Sequence, residues 1–318
     1  MDLIIRDIQK EDFDSVFELL SLYKKYKNFD KNFYSKHDLI NEVLSDDKYV
    51  KLFVAAVASE IVGFIFFNES FDITGKSIFI EDNFVLEKYR GNKIGTSLFS
   101  KVLGYGLKNN IEKIKWNLSK KDPFISIYKE IGATFLNNIE TYFLTKEKML
   151  EISKKKIDFD SDLFTIRSVK NRDLPAIKFF MEDVDHASTN FLNIDIYDLL
   201  KYGLGKRQLF KMLLVEVNDE IITLITYFDY FSALYGKSSH VQYLFVREKY
   251  KSIGIEKIIK IYLINSLSKN KYNYLTIDVY NKDIAAKKRM QFYGAKLLDD
   301  GIIIEMSNDS IKKLIDIG

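Results

Sequence analysis

The spacing of apolar residues along the chain switches between two periods. Phe13, Val16, Phe17, Leu20 and Tyr23 recur at helical spacing and predict a helix from about Glu11 to Lys25, after a short strand at Ile4 to Asp7. A second helix is expected near Lys36 to Leu44. Leu52 to Val57, Ile61 to Phe67 and Ser77 to Leu86 are dense in branched and aromatic residues and predict three strands. A helix then follows from Gly95 to about Lys108, a strand from Lys113 to Leu118, a helix from Pro123 to Ile131 and a last strand from Thr141 to Thr145. Asp122 is the expected cap of that last helix, with Pro123 at its first position. The longest apolar stretch, Leu52 to Phe67, is broken by Ser59-Glu60 and suits a buried hairpin better than a membrane span.

The same order then starts again. Ile5-Arg6 with Asp12 reappears as Ile166-Arg167 with Asp173, a displacement of 161 positions. Gly75-Lys76-Ser77, Phe84-Val85 and Glu87-Lys88-Tyr89 recur at that shift as Gly236-Lys237-Ser238, Phe245-Val246 and Glu248-Lys249-Tyr250. Gly132-Ala133 returns as Gly294-Ala295, one position further on. A period this long is a duplicated domain, not a solenoid unit. The second copy is expected to have strands at Met212 to Val217, Ile221 to Phe228, Ser239 to Val246, Tyr274 to Val279 and Ile302 to Met306. The polar, charge-rich stretch from Glu151 to Asp162 reads as a linker, which gives domains at 1–150 and 163–318. The fold class is α/β: two tandem domains, each a mixed, mostly antiparallel sheet flanked by helices.

Composition narrows the function. The 318 residues are 47% hydrophobic and carry 48 basic and 45 acidic side chains, a net charge of +3. Charge this balanced offers neither nucleic acid nor an anionic membrane a surface to hold. With no cysteine, disulfides, thiolate nucleophiles and thiolate metal sites are excluded. Met1 to Arg6 lacks the blocks of a signal peptide, so the expectation is a cytoplasmic protein. His37, His186 and His240 are scattered without metal-ligand spacing, and no metal site is expected.

The segment from Phe84 to Gly95 is a strand that enters a short glycine-containing loop and then opens a helix. Unpaired N–H groups at a helix start, at the positive end of its dipole, can cradle a phosphate. Tyr89 to Gly95 resembles the acetyl-CoA pyrophosphate loop of the GNAT acetyltransferase superfamily, with Arg90 and Gly95 matching its pattern and Lys93 standing where the middle glycine belongs. Gly75 to Val85, Trp116-Asn117 and Phe124 to Ala133 resemble the diamine (spermidine/spermine-type) acetyltransferases of that superfamily. The resemblance implies acetyl-CoA as co-substrate, bound by Phe84, Val85, Arg90, Gly91, Asn92, Lys93, Ile94, Gly95, Thr96 and Asn117. It also implies attack of a small-molecule amine, a polyamine or an amino-acid derivative, on the acetyl thioester, by a monomer or homodimer.

An amine with a pKa near 10.4 is protonated at neutral pH, and freeing its lone pair costs roughly 4 to 5 kcal/mol, so a proton acceptor is useful. By family analogy Glu81 is that acceptor and Tyr128, four residues before Gly132, the general acid that protonates the departing thiolate. Asp82 is the candidate for holding the substrate, although in a regular strand it points away from Glu81 unless a bulge intervenes. In the second copy Gln242, Tyr243 and Met290 take the places of Glu81, Asp82 and Tyr128. Its loop, Lys251 to Glu256, keeps Gly254 but places Glu256 beside the expected diphosphate. The second domain is therefore expected to be catalytically idle, or to use Tyr280 or Tyr293, and to complete the fold or shape the substrate pocket. Two other readings stay open: a non-catalytic acyl-CoA-binding sensor, and an enzyme whose second domain is the active one.

Overall fold

The computed structural model describes residues 2–44, 49–72, 74–119, 125–154, 163–184, 195–298 and 301–317. The expected cap at Asp122-Pro123, Phe124, most of the linker and His186 lie outside these residues.

The first copy runs β1 (Leu3–Asp7), α1 (Phe13–Tyr26), α2 (Lys36–Val43), β2 (Val50–Val57), β3 (Glu60–Asp72), β4 (Gly75–Val85), α3 (Ile94–Lys108), β5 (Lys113–Ser119), α4 (Ile125–Glu130), β6 (Thr134–Leu136), β7 (Ile139–Thr145) and α5 (Lys146–Ser153). The second runs β8 (Thr165–Ser168), α6 (Leu174–Val184), α7 (Ile196–Asp198), β9 (Lys211–Val217), β10 (Glu220–Ser232), β11 (Gly236–Val246), α8 (Ile255–Lys269), β12 (Tyr274–Tyr280), α9 (Ile284–Phe292), β13 (Lys296–Leu297), β14 (Gly301–Ser307) and α10 (Asn308–Ile317). A π-helical turn at Leu199–Leu204, which has no counterpart in the sequence pattern, precedes β9.

The repeated residues recur for physical reasons. Arg6 grips Asp12 with two guanidinium nitrogens at 2.5 and 2.9 Å, and Arg167 grips Asp173 at 2.6 and 3.0 Å. Each aspartate also accepts a backbone N–H three residues earlier, from Gln9 or Lys170 at 2.7 Å, and so fixes the turn that starts the first helix of its copy. Gly132 and Gly294 end α4 and α9 at φ +79° and +70°, the left-handed conformation that closes a helix. In those closures Ala133 N–H donates to Tyr128 O at 2.9 Å, and Ala295 N–H to Met290 O at 3.0 Å. Tyr128 and Met290 are thus structural equivalents.

The strands form two seven-stranded sheets, ordered β1-β2-β3-β4-β5-β14-β6 and β8-β9-β10-β11-β12-β7-β13. Among the described residues only β4–β5 and β11–β12 pair in parallel. Each sheet therefore borrows a strand from the other half of the chain. The strand expected to finish the first copy is present as β7, but it pairs with β12 in the second sheet, and β14 takes the corresponding place beside β5. The two places are equivalent, with Thr145 opposite Tyr274 and Ser307 opposite Lys113. The chain crosses between sheets at Asn137-Asn138, directly after β6. A division at 150 and 163 separates the sequence repeats but cuts across both sheets.

Burial follows from this stacking. One outer core lies between the first sheet, α3 and α10, and another between the second sheet, α5 and α8. The largest core is shared: Phe13, Leu20 and Phe66 of the first half meet Phe180, Phe210 and Phe231 of the second. Sheets covered on both faces explain why β3 is buried almost end to end and why its stretch from Ile61 to Phe67 holds no polar side chain.

Candidate active site

The parallel pairing of β4 with β5 lasts only from Ser77 opposite Lys113 to Ile80 opposite Trp116. Beyond that point β4 pairs with β3 alone and β5 with β14 alone, so the first sheet splits open. The cause is local. Phe66 lies opposite Asp82 and Phe67 opposite Ile80, which leaves Glu81 as the extra residue of a β-bulge. A bulge bends its strand and resets the side-chain alternation. Glu81 lines a cavity between the two sheets, and Asp82 and Phe84 turn to that same side while Ile80 packs towards α3. The condition under which both carboxylates share a face is therefore met. The second sheet splits in the same way past Val241 opposite Ile277, with Gln242 as the bulged residue.

The two carboxylates have different surroundings. Asp82 is 5% exposed and fully engaged: Tyr23 Oη donates to Oδ1 at 2.5 Å, and Ala233 N–H and Ser232 Oγ donate to Oδ2 at 2.8 and 3.3 Å. It ties the first half to the second and does not line the cavity. Burial pushes its carboxyl above the usual range, and its donors oppose that shift. Glu81 does face the cavity, and its carboxyl is raised well above the ordinary value, first by burial and then by the charge of Asp82, with Asn68 offsetting part of the shift. A carboxyl moved upward approaches the pKa of an amine, which favours proton transfer between them.

Beyond the split, β4 leads through a 3₁₀ turn at Glu87–Tyr89 into α3. Ser97 N–H to Lys93 O, at 2.9 Å, is the first bond of that helix, so the N–H groups of Ile94, Gly95 and Thr96 point out of its first turn. Lys93 caps the helix at φ +58°, the conformation that Gly254 adopts at φ +77° ahead of α8. The lysine keeps the backbone path of a glycine, at a cost of about 1 kcal/mol. A Cβ at Gly91 would meet nothing within 4 Å, so the space over the loop is open. Asn83 Nδ2 donates to Gly95 O at 3.3 Å and holds the helix start against β4. Arg90 is turned back, with Nε donating to Val85 O at 3.0 Å and its guanidinium 4.6 Å from the Tyr26 ring. Asn92 bridges to Tyr89 O at 3.1 Å, and Val85 and Phe84 pack below the loop.

Trp116 and Asn117 mark the split on the β5 side. Asn117 lines the cavity. Tyr128 on α4 lies across the sheet from Glu81, its ring 5.2 Å from Trp116, and is not a cavity residue. Base and acid candidates therefore flank the opening from opposite faces of the first sheet.

The cavity itself, about 360 Å³, is walled by both halves. The second half was expected to complete the fold or shape the pocket, and Tyr280 was named, but sequence reasoning did not single out Tyr230, His240, Thr276 and Asp278 as parts of its wall. Its signal was the run of polar side chains at every second position of the apolar strand β12. At the places equivalent to the catalytic candidates, Gln242 Nε2 donates to Phe71 O at 2.9 Å and Met290 is buried in the second outer core. Tyr293 is core as well, while Tyr280 lines the cavity and is 64% exposed. Glu256 sits in the first turn of α8, 3.7 Å from Lys260.

Residues 13–132 match the family model described as the acetyltransferase (GNAT) family. Among solved structures the chain resembles a tandem GNAT protein from the clavulanic acid biosynthesis pathway, determined without AcCoA, at TM-score 0.56 and 7% identity over 96% of this chain and 99% of that one. A GCN5-related N-acetyltransferase from Sphaerobacter thermophilus aligns at TM-score 0.55 and 12% identity over 96% of both chains. A GCN5-related glucosamine N-acetyltransferase region of a fungal multi-domain GH3 β-N-acetylglucosaminidase gives TM-score 0.55 and 16% identity, over 96% of this chain and 38% of that one. At these identities the structures establish the tandem fold.

Proposed function

We propose that the protein is an acyltransferase of the GNAT kind, as the match of residues 13–132 to that family model supports, and that it moves the acetyl group of acetyl-CoA to the primary amine of a small molecule held between the two sheets. The carrying observation is the split at Ile80 and Trp116, with Glu81 on its cavity face, Tyr128 on the other and the open first turn of α3 at its end.

The diphosphate lies on the N–H groups of Ile94 to Thr96, with Lys93 adding positive charge in place of the missing glycine. The pantetheine arm follows the free edge of β4 past Val85 and Phe84 into the split, where Asn117 helps to hold it. The acceptor comes from the cavity. Glu81 removes a proton from the ammonium, the freed lone pair forms the N–C bond, the C–S bond breaks, and Tyr128 protonates the departing thiolate. Asp82 supports this centre indirectly, because its charge raises the pKa of Glu81 and its hydrogen bonds join the halves. The second half, with Gln242 and Met290 at the equivalent places, serves as a wall of the acceptor site and not as a second catalyst. Polyamines and amino-acid-like amines are the acceptor classes to try first.

Thiol release from acetyl-CoA against a panel of amines tests this directly. Turnover that falls roughly 10²- to 10⁴-fold in both Glu81→Gln and Tyr128→Phe is the expected result. Tight acetyl-CoA binding without thiol release from any amine would make the protein a binding module instead.

A further inference from the structure

The second-half wall of the cavity carries chemistry that the transfer step does not use. His240 on β11 lies opposite Thr276 on β12, with Nδ1 3.0 Å from Thr276 Oγ1. We assign the ring hydrogen to Nδ1, because the one hydroxyl proton of Thr276 is within reach of Ser239 O at 3.4 Å and of the Tyr230 hydroxyl, which leaves its oxygen to accept from the ring. The other ring nitrogen, Nε2, is then a bare acceptor, 3.7 Å from Asp278 Oδ2. That separation is too long for a hydrogen bond. Burial, assisted by Lys115 and opposed by Asp278, holds His240 below the ordinary histidine value and keeps the ring neutral at pH 7. Asp278 is fixed from its far side, where Thr141 Oγ1 on the exchanged strand β7 donates to Oδ1 at 2.6 Å. Two acceptors thus stand side by side in the cavity, and among the described residues no donor bonds to either.

We propose that this acceptor pair, His240 Nε2 with Asp278 Oδ2, reads the far end of the acetyl acceptor, selecting an amine whose apolar body ends in a hydrogen-bond donor. The inference rests on the cavity being the acceptor site. Acceptors that lose their water when a ligand fills the cavity lose free energy unless that ligand supplies the hydrogen, so a partner lacking one is discriminated against. Rings of Phe79, Phe143, Phe228, Tyr230, Tyr235 and Tyr274 line the same cavity and suit an apolar body. A terminal carboxylate is disfavoured, because Asp278 would repel it and Lys115 is already committed to Asp72 at 3.2 Å. A hydroxyl and a second ammonium both satisfy the pair.

Calorimetric binding of two matched pairs of probes separates these possibilities: tyramine against phenethylamine for a neutral donor, and hexane-1,6-diamine against hexylamine for a charged one. The expected result is that at least one donor-bearing probe binds more than tenfold tighter than its partner, and that the gap shrinks below about twofold in Asp278→Asn, which keeps the bond from Thr141. His240→Asn serves as a second variant should the first fail to fold. No gap in either pair, or a gap that survives both substitutions, would overturn the inference. Thiol release measured on the same probes keeps the two questions apart. A binding gap without turnover defeats the transferase mechanism and leaves the acceptor pair standing; turnover indifferent to the far-end donor does the reverse.

Discussion

Replacing Asp82 probes the joint between the halves, where β4 of the first copy meets the second copy. Its two oxygens serve different donors, Tyr23 Oη at 2.5 Å on one and Ala233 N–H at 2.8 Å on the other. In Asp82→Ala these two donors, and the more distant Ser232 Oγ at 3.3 Å, lose their acceptor in a region where Tyr23 is 4% and Ala233 0% exposed, and the first two dominate the loss. Each orphaned buried donor costs about 1–3 kcal/mol, a gross loss of roughly 2–6 kcal/mol, from which relief of the buried carboxylate subtracts. The expected net destabilisation is about 2–4 kcal/mol. An asparagine retains one acceptor oxygen and must turn its amide towards the other donor, so Asp82→Asn is expected to lose about 1–3 kcal/mol. Urea denaturation followed through Trp116, the single tryptophan, measures both. A double-mutant cycle with Tyr23→Phe isolates the Tyr23 share. If Asp82→Asn unfolds within 0.5 kcal/mol of the parent while its amine KM rises sharply, Asp82 is a substrate contact and the structural role assigned to it is wrong.

Two further outcomes follow from the same geometry. Ile304 on β14 is fully buried in the core of the first sheet, so Ile304→Ala should destabilise the protein by about 2–5 kcal/mol and weaken acetyl-CoA binding in the leading half, although residue 304 belongs to the second repeat. Unchanged acetyl-CoA affinity after correction for the unfolded fraction would argue against a working exchange of strands. The raised carboxyl of Glu81 means that the folded state holds this proton more tightly than the unfolded chain does. Its stability contribution is therefore complete below the ordinary value of 4.5 and is lost as pH rises through the elevated folded value. Glu81→Gln lacks that decline and should be the more stable protein at about pH 8, with the advantage vanishing near pH 4; parallel stability curves for the two would show that Glu81 titrates as if in water.

Much of the architecture was legible because each local signal had one interpretation. The Ile-Arg and Asp pair that opens each copy, the Gly-Ala that closes α4 and α9, and the strand-loop-helix around Lys93 all encode local bonds that form in one way. The exchange of β7 and β14 was not legible. Both strands carry similar apolar patterns and pair at equivalent registers, so nothing within either strand distinguishes its own copy from the other. The bulge at Glu81 was foreseen only as a condition, because an extra residue in a strand depends on the partner's register and leaves no mark in the strand itself. His240 was dismissed on its spacing to other histidines, whereas its surroundings come from β5, β7 and β12, far away in sequence. Glycine at position 93 was expected from the resemblance; a lysine in the left-handed conformation does the same backbone work.

The most direct test is a crystal structure with acetyl-CoA bound. The expected density places the diphosphate on the first turn of α3, over Ile94 to Thr96, and the acetyl group in the split between Ile80 and Trp116, open to Glu81. Density over Ile255 and Glu256 at the start of α8, with the first half empty, would contradict the assignment of chemistry to the leading copy.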